Sequence, residues 1–387
     1  MTTHVFVVND RTFKYHLEYM FAGTCAASDV TFLTDNNYVN PRKKEDGITS
    51  KQELTAAGMI ADISRIRRGD KILFYLTQGN GHEGLFFGTF KAIGTPFYNC
   101  NCNNYLSTEL GVFLNFRIQI CPDEVYSLGV SEHDALDSLE NISHPSQMCW
   151  SMIYRKLKGK RGCTMLTEYE SERLIGLIKK ENSQTIIKAN GFTYDEEHHC
   201  IIQSTQHNSY TGSKPLIEIL DRLFYKDERR LAYEAHLQAY LTQNIDKRPL
   251  CSLMNIDDAA PLWIGNEVSC GVGMQSIDVM TIQKAKDTVR INIIELKCVE
   301  AYDSIIDWQL PRYIAWVIDY LIPLYKDLPV EITPFILAKV FSNNERRTSF
   351  VDKCNAFNYG NKNNYCISPI KLITYSTIDG LSFVRES

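Results

Sequence analysis

The chain contains twelve cysteines but no pair spaced as CxxC, and its closest pair, Cys100 and Cys102 in "CNC", is tighter than structural zinc sites use. A cysteine-built zinc module and a disulfide framework are therefore set aside, and free thiols in a reducing compartment are expected. There is no signal peptide and no run of 18 apolar residues, so the expectation is a soluble, cytoplasmic protein that does not engage a membrane. No GxxxxGK[ST] motif is present, so this chain supplies no P-loop ATPase. Internal repeats and low-complexity tracts are also missing. The formal net charge is only −5, so no whole-molecule field attracts nucleic acid, and such binding has to come from local patches. Two basic clusters qualify, "RIRRGDK" (65–71) and "RKLKGKR" (155–161), although each reads equally well as a solvated face.

What is present is enough for two cores: 387 residues, 44% of them apolar. Short apolar runs punctuated by Gly and Asn fill residues 1–182, closing on "LTEYESERLIGLIKKEN", where Thr167 and Glu170 form the pattern of a capping box that opens a helix. Residues 183–214 have the Gly, Pro and polar density of a linker, though "TIIKA" and "CIIQS" inside it each have strand character. "EHHC" (197–200) in the same stretch is a candidate ligand cluster, but metal binding there is not what the sequence favours. From 215 to 387 a second domain begins helical, turns strand-like around 261–282 and 290–298, and is helical again over 303–322. The fold class expected is mixed α/β (α+β).

The C-terminal half carries the chemistry. "INIIELKCVEA" (291–301) alternates so that Ile293, Glu295 and Lys297 share one face of a strand. Asp278 lies within "GVGMQSIDVMTI", the partner strand of a hairpin whose turn is "QKAKDT" (283–288). In a helix over 228–242, Leu231, Glu234, Leu237 and Leu241 share a face, which turns Glu234 inward. Unpaired buried carboxylates cost several kcal/mol, so this set calls for mutual pairing or a cation. A buried Glu295–Lys297 salt bridge is the plainer solution. The alternative is a Mg²⁺ or Mn²⁺ site held by Asp278, Glu295 and the backbone carbonyl of Leu296, with Lys297 orienting the attacking water and offsetting charge on a phosphate.

This order of residues resembles the PD-(D/E)XK nuclease superfamily: Asp278, Glu295 and Lys297 match its D…ExK core and Glu234 its first-helix acid. "QLPRY" is similar to the QxxxY element of the RecB-like branch, which places Gln309 and Tyr313 in the site. The resemblance covers residues 216–322 and implies a restriction-endonuclease-like α/β sheet core, leaving 323–387 unexplained. Pro311 departs from a regular helix, so Gln309 is expected in a preceding turn. Glu267, in "EVSCGVG", is a spare candidate ligand.

In the N-terminal half "FYLTQGNGHEGLFFG" (74–88), with "ADISRIRRGDKILFY" before it and "MCWSMIYRKLKGKRGCTMLTEYE" (148–170) after it, resembles the EVE and YTH branches of the PUA-like barrels. That resemblance implies a β-barrel with flanking helices that takes one base, often methylated, into an aromatic pocket. The pocket candidates are Tyr75, Phe86, Phe97, Tyr98 and Trp150, each also readable as core. Arg155, Lys156, Lys158, Lys160 and Arg161 are the candidates for phosphate contact, which would make affinity fall with salt. No cage Trp occurs in "FAGTCAASD" (21–29), so the ligand need not be N6-methyladenine.

Together these resemblances imply a modification-dependent DNA endonuclease that uses Mg²⁺ or Mn²⁺, serves anti-phage restriction, and acts as a homodimer because cutting two strands needs two sites. An RNA-directed nuclease and a non-catalytic reader of modified bases are the alternatives.

Overall fold

The computed structural model describes the chain except for residues 26–29, 34–50, 80, 101–103, 138–141, 149–161, 207, 258, 271–274, 326 and 363. Its elements are mixed α+β, and contacts divide it into two compact units, one built on Met1–Tyr38, Lys51–Ser143 and Gln147–Glu218, the other on Ile219–Ser387.

In the first unit β1 (Thr3–Val8), β2 (Phe21–Thr24), β3 (Lys71–Leu76), β4 (Leu85–Ala92), β5 (Phe97–Tyr98), β6 (Phe116–Pro122), β7 (Val130–Ser131) and β8 (Cys163–Leu166) form one curled sheet. Its order is β2-β6-β4-β3-β1-β8, with β5 on β6 and β7 on β4. β1 runs parallel to β3, Val5 opposite Leu73, which suits a strand that is apolar on both faces. The helix Asp10–Glu18 packs Phe13 against Phe74 and Phe87 at ring separations of 5.3 and 5.1 Å. Asn9 opens that helix with a reciprocal capping box to Thr12. The expected Thr167–Glu170 box is present too, opening the helix Glu168–Glu181.

The stretch 183–214 differs from a bare linker. It holds the hairpin of β9 (Phe192–Asp195) and β10 (Cys200–Gln203), which packs on the helix Asp10–Glu18 through Tyr194 and Phe13, rings 5.1 Å apart. "CIIQ" is a strand, whereas "TIIKA" is not. The polar turn composition hid a hairpin because its buried residues, Phe192, Tyr194, Cys200 and Ile201, are few and divided between two short runs.

In the second unit β11 (Leu262–Ser269), β12 (Ser276–Lys284), β13 (Val289–Leu296), β14 (Val330–Lys339), β15 (Tyr365–Ile367), β16 (Lys371–Ser376) and β17 (Ser382–Arg385) form a sheet ordered β11-β12-β13-β14-β16-β17, with β15 on β14. β11, β12 and β13 are antiparallel neighbours, and β13 then runs parallel to β14. The helix Leu310–Tyr320 makes that crossover and packs on β13 and β14. One sheet face, Ile294, Leu296, Phe335, Leu337 and Ile373, forms a core with Leu237 and Leu241 of the helix Glu234–Asn244. Residues 323–387, unexplained by motif, complete the sheet.

The single helix expected over 228–242 is two helices, Leu220–Glu228 and Glu234–Asn244, separated by a break at which Arg230 adopts a left-handed φ of 52°. Leu231 therefore lies outside the helix, and Glu234 is its first residue rather than part of an inward stripe. A helix N-terminus carries a partial positive charge, which favours an acid there.

Candidate metal and phosphate site

β12 and β13 pair with Val279 opposite Ile294 and Ile282 opposite Ile291. Carried one step past the last pair, that register sets Asp278 opposite Glu295, and opposed residues share a face. The two acids therefore meet where the hairpin ends. The Leu296 N–H donates to Asp278 Oδ2 at 2.8 Å, and Gln238 Nε2 donates to the Asp278 carbonyl at 2.8 Å. Lys297 is fixed through its backbone: its N–H donates to the Leu337 carbonyl at 2.9 Å, and its carbonyl accepts from the Tyr375 hydroxyl at 3.2 Å.

Its side chain turns into the acids. Nζ donates to Glu295 Oε1 at 2.6 Å and to the Leu296 carbonyl at 2.8 Å, and lies 3.6 Å from Glu234 Oε1. The buried Glu295–Lys297 pair, the plainer solution above, is thus present, and its ammonium rests on atoms that the metal reading gives to a cation, Glu295 Oε1 and the Leu296 carbonyl, with Glu234 as the further candidate ligand. Glu295 is 2% exposed, and besides Lys297 its carboxylate has the Tyr313 hydroxyl beside it as a hydrogen-bonding neighbour. Two carboxylates, Glu295 and Glu234, lie against one ammonium with Asp278 close by, an excess of negative charge over positive that a cation would offset.

The electrostatics follow. Burial, then the Glu295 charge, raises the Asp278 pKa well above the usual carboxylate range. Burial raises Glu234 likewise, with Lys297 opposing. Burial alone would lower Lys297, but Glu295 and Glu234 outweigh it and hold the ammonium protonated. Tyr313, on the crossover helix, is pushed up by burial and by the nearby Glu295 and Asp278 charges. Burial and Glu295 also push the Cys270 thiol up to about 12.

A raised Asp278 pKa has a sign that can be tested. The group's contribution to stability is fully present below its unfolded pKa, about 3.9, and is lost as pH rises through the folded value. In metal-free protein at neutral pH, Asp278→Asn is therefore expected to melt at a higher temperature than the parent, the advantage shrinking toward pH 4. Thermal melts of the two proteins in chelator across that range check it.

The remaining residues divide. Gln309 ends a π-helical turn, Ile305–Gln309, ahead of the α-helix in which Pro311 takes an opening position, as its geometry requires. Gln309 Oε1 is buried without a hydrogen-bond donor. Glu267 lies across from Asp278 in the β11–β12 register but drops out of the ladder with a left-handed φ of 46°, a strained position for a non-glycine residue. Gln238 and Tyr375 were missed. Gln238 was findable, since it lies one turn beyond Glu234. Tyr375 had no local signal.

In the first unit the aromatic pocket expected from Tyr75, Phe86, Phe97 and Tyr98 is not open: all four are buried, none more than 6% exposed. Tyr75 and Phe86 stack at 4.9 Å inside a core cluster, and the Tyr75 hydroxyl donates to Glu132. Phe97 packs against Tyr210 at 5.4 Å, and Tyr98 against Phe116 at 6.1 Å. Strands covered on both faces leave their aromatics no free surface. Phe86→Ala is accordingly expected to cost about 3–5 kcal/mol of stability, measured by thermal or denaturant unfolding, rather than to remove a ligand contact alone.

Trp150, Arg155, Lys156, Lys158, Lys160 and Arg161 lie outside the described residues. In the other basic cluster Arg65 is structural, whereas Arg68 is exposed. Arg65 is buried on Asp62 at 2.7 Å, and Asp70 accepts from the backbone N–H groups of Thr2 and Arg67.

No protein-family model matches the chain, and no curated protein matches it by sequence. Among solved structures, it is similar to a hypothetical protein from Leishmania major at 9% identity and a TM-score of 0.29, over 47% of this chain and 96% of that one. It is also similar to human THYN1, solved in complex with DNA containing 5-methylcytosine, at 12% identity and a TM-score of 0.24, over 46% of this chain and 98% of that one. Among the described residues no helix is long and apolar enough to cross a membrane.

Proposed function

We propose that the chain is a divalent-metal-dependent phosphodiester hydrolase acting on DNA, with its C-terminal unit cutting and its N-terminal unit selecting DNA that carries a modified base, a pairing suited to restriction of phage genomes. The observation that carries the reading is the gathering of Asp278 and Glu295 at the end of the β12–β13 hairpin, with the Lys297 ammonium seated on Glu295. The donor set fits the ion. Asp278, Glu295 and the Leu296 carbonyl are hard oxygen ligands of the kind Mg²⁺ and Mn²⁺ take, and Glu234 stands as an outer acid. When bound, the ion would supply Lewis acidity and lower the pKa of a coordinated water.

The chain's own side chains do the rest. Lys297 already reaches Glu295 Oε1 and Glu234, so small rotations of its flexible stem move the ammonium between these acids and an incoming phosphate, where it offsets developing negative charge. Glu234, with 42% of its side chain exposed, is placed to receive the ammonium when it leaves Glu295. Tyr313 stands beside Glu295 as a hydrogen-bonding neighbour. Base selection rests on the sequence resemblance of residues 74–88, and homodimerisation on the need for two sites to cut two strands.

The experiment is a digestion panel: phage genomes of known base chemistry, unmodified DNA and RNA, each with Mg²⁺, Mn²⁺ or chelator. Cleavage of modified DNA only, abolished by chelator, is expected. Cleavage of RNA alone, or of nothing in the panel, overturns the proposal.

A further inference from the structure

Three segments of the first unit bring together side chains that the nuclease reading does not use. Asp10 stands in the first turn of the helix Asp10–Glu18, His82 in the β3–β4 turn, and His199 in the β9–β10 turn, where it adopts a left-handed φ of 50°. One ligand atom from each lies within 4.8 Å of the others. His82 Nε2 is 2.9 Å from Asp10 Oδ1, and the two imidazole rings are 4.5 Å apart between centroids.

The hydrogen bonds around the cluster determine what can fill it. His82 Nδ1 lies 2.6 Å from the Glu83 carbonyl, which can only accept, so Nδ1 carries the proton. In neutral His82 the Nε2 lone pair then faces a carboxylate oxygen at 2.9 Å, a contact that needs a proton or a metal ion between the two atoms. His199 Nδ1 is 3.1 Å from the Tyr194 hydroxyl, which lies 3.3 Å from Asp10 Oδ1. An imidazole that donates its far N–H to a carbonyl, beside a second imidazole and a carboxylate that share a hydroxyl, has the outer-shell arrangement of ligated histidine.

We propose that Asp10, His82 and His199 bind a borderline divalent transition ion of the zinc class, pinning the 192–203 hairpin and the β3–β4 turn to the helix Asp10–Glu18. Two imidazoles and one carboxylate suit such an ion and not Mg²⁺, which takes oxygen ligands. A tetrahedral ion with bonds of about 2.0–2.2 Å needs its ligands about 3.3–3.6 Å apart, so the His82–Asp10 contact at 2.9 Å opens slightly when the ion binds. Of "EHHC", His199 alone takes part: His198 pairs with Asp195 at 2.9 Å, and Cys200 is buried.

The test uses the full chain stripped of metal and carrying Glu295→Gln, so that the second unit does not confuse the titration. Co²⁺ is the probe, read by its visible absorption, and Zn²⁺ follows by competition. One equivalent of Co²⁺ with a d–d band is expected, displaced by Zn²⁺ and untouched by excess Mg²⁺. Asp10→Asn, close in shape to Asp, and His82→Ala are each expected to weaken binding at least ~100-fold. A chain that gives no band, or variants that titrate like their parent, would mean an ordinary hydrogen-bonded cluster and overturn the assignment. Should His82→Ala fail to fold, the parent spectrum and Asp10→Asn decide between the two.

Discussion

Glu295→Gln is expected to eliminate metal-dependent DNA cleavage, with a loss of at least ~10³-fold, while leaving the protein folded. The rate loss belongs to the upper range for removing one preorganised charged group from a site of this kind. The fold survives because Gln keeps the shape of Glu, and its carbonyl oxygen can still accept from Lys297, which retains the Leu296 carbonyl at 2.8 Å and Glu234 at 3.6 Å. One buried negative charge also disappears from beside Asp278, which relieves the repulsion raising it. Cleavage of a modified-DNA substrate in Mg²⁺, read beside a thermal melt, checks both halves. A folded Glu295→Gln protein that cuts at the parent rate contradicts the assignment of this acid.

Lys297→Met separates the two roles assigned to the lysine and is expected to move three quantities in different directions. Activity falls by about 10²–10³-fold, because the ammonium that offsets phosphate charge is gone. The metal-free protein loses about 3–5 kcal/mol, the usual cost of deleting one partner of a buried ion pair, since Glu295 is left unpaired. Mn²⁺ binds at least as tightly as in the parent, because its competitor for Glu295 Oε1 and the Leu296 carbonyl has been removed. Mn²⁺ should therefore restore much of the lost melting temperature, as binding to the folded state alone requires. Calorimetric titration and melts with and without Mn²⁺ measure this. If the variant were unstable and Mn²⁺ gave no rescue, Lys297 would be a structural ion-pair partner only.

The second unit was the more legible half, for a physical reason. The hairpin of β12 and β13 is written in two-residue alternation with a polar turn between, so the shared face of Glu295 and Lys297 follows from period alone, whereas Asp278 is set opposite Glu295 only by the strand register. The turn itself is shorter than "QKAKDT", since Gln283 and Lys284 still pair with Arg290 and Val289. Glu234 was placed near the right partners for the wrong reason. Helical period cannot see the break before it, which Arg230 makes by adopting a conformation that propensity disfavours.

Less of the first unit could be read. Aromatic residues in apolar strands have the same one-dimensional pattern whether they line a cage or a core, and burial of Tyr75, Phe86, Phe97 and Tyr98 depends on what covers the far face of the sheet. The Asp10, His82 and His199 cluster joins residues 72 and 117 positions apart along the chain, so only folding reveals it.

The most direct measurement is anomalous scattering at the Mn²⁺ edge from crystals of the full chain grown with the ion. A peak bounded by Asp278, Glu295 and the Leu296 carbonyl, with the Lys297 ammonium displaced toward Glu234, is the predicted result. A map with no peak there, and Lys297 still seated on Glu295 at saturating Mn²⁺, would contradict the metal-dependent nuclease reading.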